Sequence, residues 1–209
     1  MFPTEVLAAY LLAALIVVVA PGPDNILAIS RGLGQGRSAA AMSSLGAGLG
    51  IMVHTIAATL GVAVVLQTSP LAFWVVKAVG AAYLLWLGWR ALGSRSLIAL
   101  SPTDRQPLSC VLATGILSNV LNPKPGLFVA AFIPQFVSVA RGPVHVQMLV
   151  YGAIFAVLTT AVFTLFGCFS ARLSGWLARK PRVAAAANVG AGLTFVAAGL
   201  SILALDRRR

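Results

Sequence analysis

Two ionisable side chains lie inside long apolar stretches of this chain, and each stands beside a pair of prolines. Asp24 follows Pro21-Gly22-Pro23, and Lys124 lies between Pro123 and Pro125. A carboxylate can bind an ammonium group or carry a proton, and an ammonium group can bind a carboxylate. A charge at mid-bilayer costs about 2.5–3.5 kcal/mol on insertion scales, so such residues usually have a partner or a function. Two interpretations stay open: a salt bridge that ties two helices together, and a charged pair that also opens to a small molecule.

Asparagine side chains add amide groups next to both charged residues. Asn25 follows Asp24, and Asn119 and Asn122 precede Lys124. They are candidates for substrate contact. The alternative is that they cap helix ends or bond to carbonyl groups that the prolines leave unpaired.

His54 lies on a helix face that is otherwise made of small residues. Gly46, Gly50, His54 and Ala58 recur every four residues. Small faces let helices approach closely, so the imidazole is expected to point into a helix bundle. A group that titrates near pH 7 is suited to proton transfer or substrate contact. The structural alternative is a neutral histidine bonded to a nearby carbonyl.

The composition places these residues in a membrane protein. Of 209 residues, 59% are hydrophobic and 9% are charged, and the mean hydropathy is +0.96. A soluble domain has about a quarter of its residues charged. The net charge of +11 could suggest nucleic acid. However, the basic residues stand singly or in small groups between apolar stretches, as in membrane proteins, and nucleic-acid binding is therefore not expected.

Six apolar stretches are long enough to cross a bilayer as helices. Spans 1 to 6 are predicted at about 5–30, 39–66, 70–92, 108–133, 147–171 and 183–205. They form one transmembrane domain, with a first repeat at 1–92, a cytoplasmic loop at 93–107, a second repeat at 108–205 and a basic tail at 206–209. Nine basic residues in and beside the first, third and fifth connections predict both termini on the outer side. The arginines of the tail disagree with this orientation.

The proline pairs predict an inverted repeat. A shift of 102 residues superimposes Pro21 and Pro23 on Pro123 and Pro125. Three spans precede span 4, so the two halves cross the bilayer in opposite senses. A 3+3 inverted repeat with a broken helix in each half is typical of secondary transporters. Each second half-helix is expected to begin around Pro23 or Pro125, where its unpaired amides and positive dipole end could bind a carboxylate.

The sequence offers no machinery for catalysis. It contains no metal-ligand cluster, no phosphate-binding loop and no nucleophile beside a base, so an enzyme, a metal and a cofactor are not predicted. A membrane thiol oxidoreductase that uses Cys110 and Cys168 is an alternative. Gly190, Gly192 and Gly199 predict close helix contacts, within one chain or in a homodimer.

Several motifs resemble the LysE/RhtB family of amino-acid exporters. They are "APGPDN" at 20–25, "GAGLGIMVH" at 46–54, "GAAYLLWLGWRAL" at 80–92, "LSNVLNPKPGLF" at 117–128 and "PQF" at 134–136. The resemblance implies a multi-pass protein of the bacterial inner membrane that exports amino acids or close derivatives, driven by the proton-motive force. The family's site residues correspond here to Pro21, Gly22, Pro23, Asp24, Asn25, Asn122, Pro123 and Lys124.

The chain departs from this family at two positions. Members often carry an acid after the glycine that matches Gly50, where this chain has Ile51. The proton-coupling candidates are therefore Asp24 and His54. Pro125, after the lysine, is commonly another residue in the family.

These observations predict a small-molecule carrier in the lipid bilayer. Lys124 and the half-helix amides would bind the substrate carboxylate. Asp24, Asn25 and carbonyls freed around Ala20 and Leu121 would face its ammonium group. The alternative is a channel or lipid-handling membrane protein that uses the same broken helices.

Overall fold

The computed structural model describes residues 3–68 and 102–170 continuously, together with single helical positions between 74 and 92 and between 172 and 200. These residues form helices and turns without a β-strand, as predicted. The main helices are α1 (Thr4–Val19), α2 (Pro23–Gln35), α3 (Arg37–Thr68), α4 (Leu108–Leu121), α5 (Pro123–Leu127) and α6 (Val144–Cys168). A π-helical turn (Phe128–Phe132) and two 3-10 turns (Ile133–Phe136 and Val139–Arg141) connect α5 to α6.

Up to four membrane spans can be recognised in the described residues. Arg37–Gly61 of α3 and the whole of α6 are each long and apolar enough to cross a bilayer. Two bent helix pairs also qualify: α1 with α2, bent by 59°, and α4 with Pro123–Phe136, bent by 54°. Arg37–Gly61 and α6 correspond to predicted spans 2 and 5, and the two bent pairs correspond to predicted spans 1 and 4. Predicted spans 3 and 6 lie outside the continuously described residues, so the count of six stays a prediction.

The bend of span 1 follows from its prolines. A proline disfavours helical backbone in the residue before it. Ala20, which precedes Pro21, has a ψ of 129° and ends α1. Pro23 then takes the first position of α2, where the missing amide hydrogen is not needed. Gly36 ends α2 with a φ of +91°, a conformation that favours glycine.

The small face of α3 makes a close helix contact, as predicted, and the partner is α4. A Cβ atom added at Gly46 would lie 2.6 Å from the carbonyl oxygen of Leu112, and one added at Gly50 would lie 2.6 Å from the Cβ of Asn119. Real side chains are not found this close, so glycine is required at both positions. Helix α3 therefore brings His54 directly against span 4.

A buried aromatic cluster holds α1 and α6 to the π-helical turn. The Tyr10 hydroxyl donates a hydrogen bond of 2.6 Å to the carbonyl oxygen of Tyr151, and both side chains are fully buried. The ring of Tyr10 lies 4.6 Å from that of Tyr151, and the ring of Phe128 lies 4.6 Å from that of Phe155. This packing fixes the segment that follows the break of span 4.

The loop before α4 is hydrogen-bonded to the end of α2. The buried Arg31 guanidinium donates to the carbonyl of Asp104 at 3.0 Å and to the side-chain oxygen of Gln106 at 2.8 Å. The side chain of Gln35 bonds to both backbone groups of Gln106, at 2.6 and 3.1 Å. The second half of span 1 is therefore attached to the entry of span 4.

Glycines of predicted span 6 contact predicted span 3 of the same chain. A Cβ atom at Gly192 would lie 2.7 Å from the side chain of Leu92, and one at Gly199 would lie 2.9 Å from that of Leu85. The predicted close helix contacts are therefore confirmed at these two glycines, and they are made within one chain.

Candidate functional site

The breaks of spans 1 and 4 differ in length. Ala20, Pro21 and Gly22 separate α1 from α2, whereas Asn122 alone separates α4 from α5. Helices α1 and α4 end 102 residues apart, as the proline shift predicts. Helices α2 and α5, however, begin 100 residues apart.

The second half of span 4 begins at Pro123, not at Pro125. Asn122 is the residue before the helix, and its side-chain oxygen accepts a hydrogen bond of 3.0 Å from the amide of Lys124. Pro123 then occupies the first helical position. Pro125 occupies the third helical position, where a backbone amide would in any case have had no hydrogen-bond partner within the helix. Pro125 is therefore not structurally equivalent to Pro23, although the two superimpose in sequence.

Three neutral donors surround the Asp24 carboxylate. Oδ1 accepts a hydrogen bond of 3.0 Å from the hydroxyl of Ser118. Oδ2 accepts hydrogen bonds from the side-chain amides of Asn119 and Asn122, at 2.7 and 2.9 Å. Asp24 is 7% exposed. Hydrogen bonds to a charged group contribute about 1.5–3 kcal/mol each, so these contacts stabilise a carboxylate far from water.

Lys124 crosses from span 4 to the broken end of span 1. Its ammonium group donates a hydrogen bond of 2.6 Å to the carbonyl oxygen of Ala20, at the negative dipole end of α1. It also interacts electrostatically with Asp24. A Cβ atom added at Gly22 would lie 3.3 Å from Nζ, so the glycine leaves room for this crossing. The two spans are thus joined by hydrogen bonds to neutral groups as well as by the attraction between the charges.

Asn25 and Asn122 both cap a half-helix, which was the structural alternative for these residues. The side-chain oxygen of Asn25 accepts from the amide of Gly22 at 2.9 Å, and its amide donates to Ala20 at 3.0 Å. The carbonyl of Ala20 therefore already accepts two hydrogen bonds. The expectation that it is free to face a substrate ammonium group is wrong for this conformation.

His54 is linked to Asp24 through one residue. Its Nε2 lies 3.0 Å from the carbonyl oxygen of Asn119, whose side chain bonds to Asp24. The contact requires a proton on Nε2 and agrees with the structural alternative for this histidine. The imidazole also packs on Gly126, where a Cβ atom would lie 2.9 Å from the ring.

A small cavity lies where the two breaks meet. Its volume is about 20 Å³, which is room for about one water molecule. The residues that line it are Val17, Val18, Gly22, Asp24, Asn25, Ile51, Asn119, Asn122, Lys124, Pro125, Phe155, Thr159 and Phe163. Both charged candidates therefore face one cavity, beside both helix breaks.

Six of the predicted site residues line this cavity and four do not. Those that line it are Gly22, Asp24, Asn25, Asn119, Asn122 and Lys124. Those outside the lining are Pro21, Pro23, Pro123 and His54. The three prolines set the backbone breaks, and His54 reaches the site through Asn119.

Sequence reasoning missed the contribution of α6. Phe155, Thr159 and Phe163 line the cavity at intervals of four residues, which places them on one helix face. Such spacing could have indicated a buried stripe, but phenylalanine and threonine in an apolar span are not distinctive. Ser118 was also missed. It lies four residues before Asn122, on the same face of α4.

Comparisons with known proteins identify the family of this chain. A sequence model described as "LysE type translocator" matches residues 15–205. The chain belongs to the LysE translocator family. The resemblance of its motifs to that family is thus confirmed, and the LysE-type chain is a multi-pass membrane protein.

Relatives of this LysE-type chain carry the names of efflux proteins. The homoserine/homoserine lactone efflux protein of Salmonella typhi is 31% identical over 194 residues, which cover 91% of this chain and 92% of the relative. The leucine efflux protein of Enterobacter sp. (strain 638) is 29% identical over 189 residues, which cover 90% of each chain. An uncharacterized membrane protein of Vibrio cholerae is 30% identical over 193 residues, 92% of this chain and 93% of the relative. No solved structure matches the chain.

Proposed function

We propose that this protein exports amino acids or close derivatives across the bacterial inner membrane as a secondary transporter coupled to the proton-motive force. The observation that carries the proposal is the meeting of two broken helices at one cavity lined by Asp24 and Lys124. Homoserine, its lactone and leucine, which occur in the names of relatives, are amino acids or a close derivative of one.

The two charges suit the two ends of a free amino acid. The carboxylate of the substrate would bind Lys124, and its ammonium group would bind Asp24. Lys124 would leave the carbonyl of Ala20, Asp24 would leave amide donors, and the substrate charges would replace the attraction between the two side chains. A zwitterion would thus form an ion pair with each of the two side chains, whereas a molecule with one charge would form only one ion pair.

The cavity must enlarge to accept a substrate. Its volume of about 20 Å³ is far below that of an amino acid. We therefore assign this conformation to the closed, substrate-free carrier. Opening would separate the breaks of spans 1 and 4, which the Lys124–Ala20 hydrogen bond holds together.

Asp24 and His54 are the proposed proton carriers. Ile51, at the position where members of the family often have an acid, is buried and lines the cavity. Asp24 is therefore the acid of the described cavity lining. Its protonation would remove the charge that binds the substrate ammonium, so proton and substrate would exclude each other. His54 is the second candidate because it bonds to the backbone carbonyl of Asn119, the residue whose side chain bonds to Asp24.

Exchange of labelled amino acids in proteoliposomes tests the binding roles. We expect Lys124→Ala and Asp24→Asn each to reduce exchange at least tenfold. Glu5→Gln is the matched control, because Glu5 is an exposed acid of the same span. Full exchange by Lys124→Ala would remove that residue from the mechanism.

Proton coupling requires a separate measurement. Uptake driven by an imposed pH gradient is expected to fall in His54→Gln and to stay unchanged in His145→Gln, since His145 is exposed. Equal uptake by the two variants would exclude His54 as a proton carrier.

A channel or lipid-handling protein is the alternative for the same broken helices. Counterflow separates these functions. A carrier accumulates labelled substrate against an excess of internal unlabelled substrate, whereas a channel only equilibrates the label.

The thiol oxidoreductase alternative is tested by amino-acid exchange in the double Cys110→Ala/Cys168→Ala variant, whose exchange is expected to be normal. Both cysteines are free thiols, and Cys110 is exposed.

The remaining architecture belongs to the same proposal. It comprises six spans in a 3+3 inverted repeat, one transmembrane domain and both termini on the outer side. Fusions of a periplasm-active reporter enzyme to each terminus are expected to be active. A homodimer also stays a prediction, although Gly192 and Gly199 contact their own chain.

A further inference from the structure

Helix α6 adds a hydrogen-bonding group to an otherwise apolar part of the cavity. The breaks of spans 1 and 4 contribute the charged and amide groups of the lining. Helix α6 contributes Phe155, Thr159 and Phe163. Thr159 is thus the α6 residue of the lining that carries a polar side-chain group, and an aromatic side chain lies one turn away on each side of it.

The Thr159 hydroxyl is unsatisfied in the described structure. Thr159 is 2% exposed, and its Oγ1 has no hydrogen-bond partner. Other threonines in the spans behave differently. The hydroxyls of Thr55 and Thr59 each donate to the carbonyl four residues earlier, at 2.8 and 2.7 Å. Buried hydroxyls are nearly always bonded, so an exception on the wall of a cavity calls for a partner that the cavity would hold.

We propose that Thr159 is a specificity-determining residue, whose hydroxyl bonds to a polar group at the tip of a short, uncharged substrate side chain. This inference rests on the proposed transport of amino acids. The α-carboxylate and α-ammonium groups of the substrate use Lys124 and Asp24. A charged side chain would then find no counter-ion in the described lining.

A hydroxyl-bearing side chain fits this wall better than a purely aliphatic one. The rings of Phe155 and Phe163 enclose the methylene groups of a short side chain, and the Thr159 hydroxyl bonds to its tip. An aliphatic analogue would leave that hydroxyl unsatisfied. A site that bonds a substrate hydroxyl discriminates against the analogue without it more strongly than an apolar pocket discriminates by size.

Competition counterflow with two matched ligands tests the inference. Homoserine and 2-aminobutyrate share a carbon skeleton and differ by the terminal hydroxyl. We expect wild-type protein to prefer homoserine by about tenfold or more. Thr159→Val, which keeps the side-chain shape, is expected to lose most of this preference, and Thr159→Ser to keep it. Thr59→Val is the control, because that hydroxyl bonds within its own helix, and it is expected to leave the preference unchanged.

The outcomes separate this inference from the proposed function. An unchanged preference in Thr159→Val overturns the role of Thr159 and leaves amino-acid transport standing. If wild-type protein exchanges other amino acids but recognises neither homoserine nor 2-aminobutyrate, the role of Thr159 is also overturned and amino-acid transport still stands. A wild-type protein that exchanges no amino acid overturns the proposed function and this inference with it.

Discussion

Replacing Gly50 with alanine is expected to separate α3 from α4 and to disturb the charged site. The new Cβ atom would lie 2.6 Å from the Cβ of Asn119 and 2.7 Å from its Oδ1. Carbon atoms pack favourably at about 3.5–4.0 Å, so the helices must move apart by about 1 Å. The side chain of Asn119, which donates a hydrogen bond of 2.7 Å to Asp24 of α2, must then move, and we expect that bond to be lost.

The magnitude of this effect follows from two contributions. Overpacking of a tight interface costs about 1–3 kcal/mol. Loss of one hydrogen bond to a buried carboxylate costs about 1.5–3 kcal/mol more. The higher helix propensity of alanine offsets about 0.5–1 kcal/mol. We therefore expect Gly50→Ala to lower the free energy of unfolding by about 1.5–5.5 kcal/mol.

Thermal unfolding in detergent, together with amino-acid exchange in proteoliposomes, measures both consequences. Gly61→Ala is the matched control in the same helix, because no atom lies within 4 Å of a Cβ placed there. It is expected to be at least as stable as wild type and fully active. If Gly50→Ala unfolded at the same temperature as Gly61→Ala and exchanged substrate normally, the close α3–α4 contact would be refuted.

Three further substitutions probe single contacts by thermal unfolding. Tyr10→Phe removes the buried hydrogen bond of 2.6 Å to Tyr151 and is expected to cost about 1 kcal/mol; an unchanged melting temperature would argue against that bond. Gln106→Ala removes a partner of the buried Arg31 guanidinium and is expected to cost about 1–3 kcal/mol, whereas wild-type stability would mean that the loop is not attached to α2. Gly36→Ala forces a side chain into a φ of +91° and is expected to cost about 1–2 kcal/mol, although no atom would clash; equal stability would indicate a different turn.

The sequence was informative about the helix breaks because the physical rules there are local. Proline disturbs the residues immediately before it, so the ends of α1 and α4 could be placed from Pro21 and Pro123 alone. The start of α5 was harder to predict. It depends on the hydrogen bond by which the Asn122 side chain caps α5. Other polar residues of the motif at 117–128 could have provided such a cap.

The partners of the charged side chains could not be predicted from spacing. Lys124 bonds to a carbonyl 104 residues away, and Asp24 is bound by amides 95 and 98 residues away. Such distances along the chain depend on how the spans pack. The wall that α6 contributes is a similar case, because Thr59 and Thr159 are both buried threonines of a span, and the sequence does not show that only Thr59 bonds to its own helix.

The hydrogen bond from Lys124 to Ala20 makes the two broken spans mutually dependent. Without span 4, α1 would end in the bilayer with a carbonyl that lacks this ammonium. Without span 1, the ammonium group of Lys124 and the side-chain amides of Asn119 and Asn122 would lack the acceptors that they bind in span 1. If the two halves descend from one duplicated ancestral segment, a lone copy of that segment would have left its own interrupted helix incomplete.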